Sequence, residues 1–136
     1  MILLDTNIIM YAAGAPDPHK APSVALLDRV ARGEVEAALD AEVLQEILHR
    51  YRALRRWNDG RRVYDLARRS IVTVLPVTVE VTDQARKIMD DHPTLMARDA
   101  LHAAVCRVAG ADAICSYDSD LDIVAGLRRV EPPAVV

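Results

Sequence analysis

The stretch Ile2-Leu3-Leu4-Asp5-Thr6-Asn7 decides how the rest of the chain is read. Three consecutive apolar residues suit a strand buried on both faces, and the abrupt change to Asp-Thr-Asn puts a carboxylate at the strand's carboxyl end. Strands of this kind pair in parallel and need long crossover connections, so helices should separate them. Working outward, Ala37-Ala38-Leu39, the β-branched run Ile71-Val72-Thr73-Val74-Leu75, Ala113-Ile114-Cys115 and an edge segment at 127–131 are the further strand candidates.

Between them the chain carries helical spacing and helix punctuation. A first short helix is predicted over 6–13, ended by Gly14, and a second over about 22–32, ended by Gly33. Asp40 is placed to cap a helix over about 41–56, whose apolar stripe is Val43, Leu44, Ile47, Leu48 and Tyr51. Asn58-Asp59-Gly60 has the composition of a turn, with a polar helix over 61–70 after it. Thr78 caps a helix reaching about Asp91, His92-Pro93-Thr94 breaks it, and a last helix over about 96–109 stops at Gly110. That last helix is apolar nearly all round, so Asp99 projects from an element expected to be buried on two faces. Alternating strands and helices predict an α/β fold with a short, mostly parallel sheet covered on both faces, and ligands in such folds sit beyond the strands' carboxyl ends. Asp5 and Asp118 both fall at such ends.

At 136 residues, with 51% apolar and 27% charged residues, the chain is expected to form one domain, 1–136, with an adequate core. No apolar run approaches the ~20 residues of a membrane span, and the opening Met-Ile-Leu-Leu meets Asp5 too early for a signal peptide. A cytoplasmic location is the resulting expectation. Cys106 and Cys115 lack CxxC spacing and read as small core hydrophobes. The net charge of −3 says little about nucleic acid, because an acidic metal site subtracts charge where a cation restores it.

Carboxylates at a buried strand end or on a buried helix lose hydration and need compensation. Several together call for a cation, and hard oxygen ligands suit Mg²⁺ or Mn²⁺, which leave positions for water and phosphate oxygens. Spacing alone does not select the ligands among 20 acids. Most have other roles: Asp28, Glu34, Glu36, Asp59, Asp65, Glu80, Asp83, Asp90 and Asp91 fit solvated helix faces or turns, and Glu42 suits the first turn of a helix. His102, one turn from Asp99, suits a packed or hydrogen-bonding role better than that of a base.

Four motifs in order carry a resemblance: Leu4-Asp5-Thr6-Asn7, Glu46 in a helix some forty residues on, Arg98-Asp99-Ala100-Leu101-His102-Ala103-Ala104, and Ser116-Tyr117-Asp118-Ser119-Asp120. Over nearly its whole length the chain resembles PIN-domain ribonucleases, specifically VapC-type toxins of VapBC toxin–antitoxin pairs. The resemblance implies a three-layer α/β/α PIN-like fold and catalytic, metal-binding acids at Asp5, Glu46, Asp99 and Asp118. Thr6, Asn7 and Ser116 are implied as polar neighbours that orient the acids or a water, and Asp120 as an outer ligand. It further implies an endoribonuclease using Mg²⁺, with Mn²⁺ as an alternative, an RNA substrate, a cognate VapB-type antitoxin and a homodimer. Leu121 departs from the aromatic common in the closing motif, and Asp40 from the hydroxyl cap common before the Glu46 helix; neither touches the four acids.

Eight arginines, Arg50, Arg52, Arg55, Arg56, Arg61, Arg62, Arg68 and Arg69, lie in one stretch interleaved with Tyr51, Trp57 and Tyr64. Arginine with aromatics can hold phosphate and stack on unpaired bases, but the same stretch also suits a face for an antitoxin or a second subunit. Two other classes compete with the nuclease: a non-catalytic RNA- or protein-binding module on the same fold, and a phosphoryl-receiving domain. The latter needs a late lysine, and none follows Lys87.

Overall fold

The computed structural model describes residues 1–136. Five strands form an all-parallel sheet: β1 (Ile2–Leu4), β2 (Ala37–Asp40), β3 (Val74–Leu75), β4 (Ala113–Cys115) and β5 (Arg129–Val130), in the order β3-β2-β1-β4-β5. Six helices connect them: α1 (Thr6–Ala13), α2 (Lys20–Ala31), α3 (Ala41–Ala53), α4 (Trp57–Ser70), α5 (Val79–Asp91) and α6 (Ala97–Ala109).

Side chains of successive strand residues point to opposite faces, and this alternation divides the core. Leu4, Leu39 and Cys115 face one layer, where they meet Ile8 and Ile9 of α1, Leu26 and Leu27 of α2, Val43 and Ile47 of α3, and Val63 and Ala67 of α4. Leu3, Ala38 and Ile114 face the other, against Val81, Ala85 and Ile88 of α5 and Ala100, Ala103 and Ala104 of α6. The result is three layers, α/β/α, as expected. Both cysteines are free and buried in these cores.

The chain builds leftward from β1 through β2 to β3, then crosses to the other side of β1 for β4 and β5. This reversal separates the loops after β1 and β4, so a cleft opens there at the carboxyl edge of the sheet. The register Leu4↔Cys115 sets Asp5 and Ser116 side by side at its mouth.

Several boundaries differ from those predicted, each for a physical reason. The Asn58-Asp59-Gly60 turn is instead the first turn of α4: a Cβ on Gly60 would lie 2.5 Å from Cβ of Tyr51, so the glycine allows α4 to close on α3. The actual reversal comes earlier, at Arg55, whose φ of 56° is left-handed, and α3 therefore ends at Ala53 rather than near Arg56. The strand predicted over 71–75 shrinks to Val74–Leu75, with Val72 88% exposed, because β propensity without a partner forms no ladder. The edge strand shrinks likewise to Arg129–Val130. Of the α3 stripe, Val43, Ile47 and Tyr51 are buried, while Leu48 is 38% exposed.

Thr78 and Asp40 act as N-caps: Val81 N–H donates to Thr78 Oγ1 at 3.3 Å and Val43 N–H to Asp40 Oδ1 at 3.0 Å. Gly110 ends α6 in the left-handed region, at φ 67°.

Candidate active site

The cleft has a volume of about 540 Å³ and is lined by Asp5, Thr6, Asn7, Met10, Tyr11, Glu46, His49, Arg50, Arg98, Asp99 and Asp118, among others. Four acids drawn from β1, α3, α6 and the β4 exit thus share one cavity, although more than a hundred residues separate Asp5 from Asp118.

Asp5 is 5% exposed and caps α1, taking Thr6 N–H at 2.6 Å on Oδ1. Its Oδ2 accepts Ser116 Oγ–H at 2.6 Å and Asn7 Nδ2–H at 3.2 Å. Asn7 also donates to Ser116 Oγ at 3.1 Å and receives Tyr117 N–H at 3.3 Å, so the two loops are tied across the mouth of the cleft. Burial raises the Asp5 carboxyl above its ordinary value, against the opposing pull of His102 and these hydrogen bonds.

Asp99 lies in the first turn of α6, half-buried. Its carboxyl is pushed up to about 6, first by burial and then by the charges of Asp118 and Asp5. Asp99, Asp118 and exposed Asp120 each offer one oxygen, all within 4.8 Å of one another. Asp120 N–H donates to Asp118 Oδ1 at 2.9 Å, and Asp118 N–H to Ser116 Oγ at 2.9 Å, which sets the angle of the Ser116–Asp120 turn.

Glu46 enters from α3 and is held differently. Its Oε1 lies 2.9 Å from Nε2 of His102, which is 1% exposed, and the ring's Nδ1 lies 2.6 Å from Oδ2 of fully buried Asp40. His102 Nε2 also lies 3.5 Å from Asp5 Oδ1. Asp40 and His102 are the residues that sequence reasoning passed over as site components: Asp40 is the helix cap it was taken for, and in addition the buried partner of the histidine. Only the departure from a hydroxyl at position 40 signalled a second task.

The donor set fits a divalent cation. All its acidic side chains are hard oxygen donors, their mutual repulsion around Asp99 is only partly offset by His102 and Arg98, and Thr6 Oγ1, buried in the cleft wall, has no hydrogen-bond partner. Arg50 and Arg98 bring the positive charge to the lining, and no lysine lines the cleft, which disfavours a phosphoryl-receiving site.

A sequence profile for the PIN domain matches residues 2–127. The chain belongs to the PIN-domain family. Among curated PIN-domain relatives it is similar to VapC ribonuclease Mb1869c of Mycobacterium bovis, with 38% identity covering 96% of this chain and 99% of that protein. Ribonuclease VapC13 of Mycobacterium tuberculosis matches with the same identity and coverage. Among solved PIN-domain structures, VapC20 of Mycobacterium tuberculosis, a sarcin–ricin loop cleaving toxin, superposes with a TM-score of 0.77 at 21% identity, covering 97% of this chain and 100% of that one.

Proposed function

We propose that this PIN-domain chain, acting as one domain over 1–136, is the endoribonuclease toxin of a type II toxin–antitoxin pair and hydrolyses RNA phosphodiester bonds with the help of Mg²⁺ or Mn²⁺. The VapC relatives support the activity, and the gathering of Asp5, Glu46, Asp99 and Asp118 in one cleft carries the assignment to these residues. Asp120 joins Asp99 and Asp118 on the side where carboxylate oxygens are closest. A divalent cation supplies Lewis acidity in such a site, lowering the pKa of water and offsetting charge on phosphodiester oxygens.

The chain's own residues do the positioning. Ser116 and Asn7 hold Asp5 by one oxygen, keeping the site at the β1–β4 junction rigid. Arg50 and Arg98, on opposite elements lining the cleft, grip backbone phosphates and draw the strand over the acids. The unpartnered Thr6 hydroxyl is available to a water or a substrate oxygen. An antitoxin of the VapB type, a homodimeric assembly and a cytoplasmic location complete the proposal; no helix is long and apolar enough to cross a membrane.

The deciding experiment compares RNA ends produced by the wild type, Asp5→Asn and Asp99→Asn with Mg²⁺ present. New 5′ ends are expected from the wild type alone. Cleavage at the wild-type rate by either variant would sink the assignment.

A further inference from the structure

Buried behind the cleft lies one feature that the proposed hydrolysis leaves without a task. A buried histidine stands between a fully buried carboxylate and two acids of the site. Each of its nitrogens faces a carboxylate oxygen within 2.9 Å, Nδ1 that of Asp40 and Nε2 that of Glu46. The remaining oxygen of Asp40 is occupied by Val43 N–H at the start of α3, the helix that carries Glu46. Asp40, His102 and Glu46 therefore close a loop through β2, α6 and α3.

We infer that Asp40 and His102 are positioning residues, a carboxylate–imidazole pair that fixes which oxygen of Glu46 turns toward the ion. The inference rests on the metal-dependent reading given above. Without a restraint, a glutamate reaching into an open cleft samples several rotamers, and each costs the site part of its preorganisation; Glu46 is only 16% exposed at its side chain. Here the imidazole takes Oε1, leaving the other carboxylate oxygen as the one open to the cleft. The ring is itself kept from turning by Asp40, and Asp40 is kept from turning by the helix cap. The chain of restraint thus runs from backbone to cap, ring and ligand. The side of the site with Asp99, Asp118 and Asp120 has no side-chain donor of this kind: only Asp120 N–H bonds there, to Asp118 Oδ1, and the other oxygens are left for the cation.

His102 touches neither substrate nor the Asp99 side, and its effect is tested through metal affinity as well as cleavage. The amide nitrogen of asparagine falls near Nδ1 of histidine and that of glutamine near Nε2. His102→Asn therefore keeps a donor for Asp40 and loses the one for Glu46, whereas His102→Gln does the reverse. Both remove the ring's charge, so a difference between them reports the donor at the Nε2 position, which faces Glu46 at 2.9 Å and Asp5 at 3.5 Å. Mn²⁺ titration followed by electron paramagnetic resonance should show His102→Gln binding about tenfold or more tightly than His102→Asn, the scale on which partners of metal ligands act. Melting temperatures should run the other way, because only glutamine leaves the buried Oδ2 of Asp40 without a donor.

Equal Mn²⁺ affinity in the two folded variants overturns the inference and leaves the metal-dependent nuclease standing. A wild type that takes up no Mn²⁺ overturns that reading, and the inference with it. If a His102 variant does not fold, Asp40→Asn and Asp40→Ser pose the same question. Both retain a cap for Val43 N–H and lose the charge, but only asparagine can still hold Nδ1. Tighter Mn²⁺ binding by Asp40→Asn is expected, and equal binding by the pair overturns the inference.

Discussion

Asp99 holds its proton to about 6, because burial and the charges of Asp118 and Asp5 all oppose ionisation. The sign of the pH effect follows from where the proton goes. Unfolded, the carboxyl ionises near 4, so between about pH 4 and 6 the folded chain binds a proton that the unfolded chain has released. Stability from this group is therefore lost as pH rises through that window. His102, raised well above its ordinary value by Asp40 and Glu46 against the cost of burial, acts in the same direction at higher pH. Its contribution is complete below about 6.5 and fades as pH rises through the folded value. Metal-free Asp99→Asn should melt higher than metal-free wild type at pH 7.5 and equal to it near pH 4. Asp99 is only partly buried and its charge is screened by solvent, so the gain is about 1 kcal/mol, or roughly 3–5 °C. Scanning calorimetry in chelator checks this. Mn²⁺ should raise the wild-type melting temperature at pH 7.5 far more than at pH 5, and should do little for the variant.

At the scale of elements, the α3–α4 hairpin determines where Glu46 and Arg50 stand. Gly60 was read as a turn residue because glycine after Asn-Asp favours reversal, but the helix pair uses it for contact with Tyr51. Gly60→Ala inserts a methyl where 2.5 Å is available, against backbone-proximal atoms that cannot swing aside. Overpacking there should cost about 1–3 kcal/mol in chemical denaturation, although alanine is the better helix former. A stabilised Gly60→Ala would show that the two helices are free to move apart. The arginines of the hairpin are not equivalent. Arg52 lies over Trp57, with its guanidinium 4.6 Å from the ring centroid, and Arg56 pairs with Asp59 at 2.9 Å, whereas Arg50 lines the cleft.

At the scale of the whole molecule, the net charge of −3 conceals a division between an acidic floor and a cationic rim. RNA affinity should fall steeply with salt as phosphate contacts release counterions. Arg50→Ala and Arg98→Ala should each lower the slope of log affinity against log salt by about 1, while Arg52→Ala leaves it unchanged. Filter binding with Asp99→Asn protein, expected to hold RNA without cutting it, measures all three slopes. Equal slopes for Arg50→Ala and the parent would remove Arg50 from the RNA path.

Much of this architecture was legible along the chain because its signals are local. Apolar runs ending in acids mark buried parallel strands, and the caps at Asp40, Thr78 and Gly110 act within a few residues. Asp5 and Asp118 could be placed at strand ends for the same reason. Strand lengths, the packing use of Gly60 and the reversal at Arg55 depend on which neighbour is present, and a linear pattern does not contain neighbours. The same holds for His102. By sequence it is one helical turn from Asp99, yet its hydrogen bonds go to Asp40 and Glu46, 62 and 56 residues away. The sequence by itself determined the α/β alternation and the strand-end acids around Ile2–Leu4 and its partners. Only the tertiary structure decided which charges meet, because a buried carboxylate takes its partner from the elements folded against it.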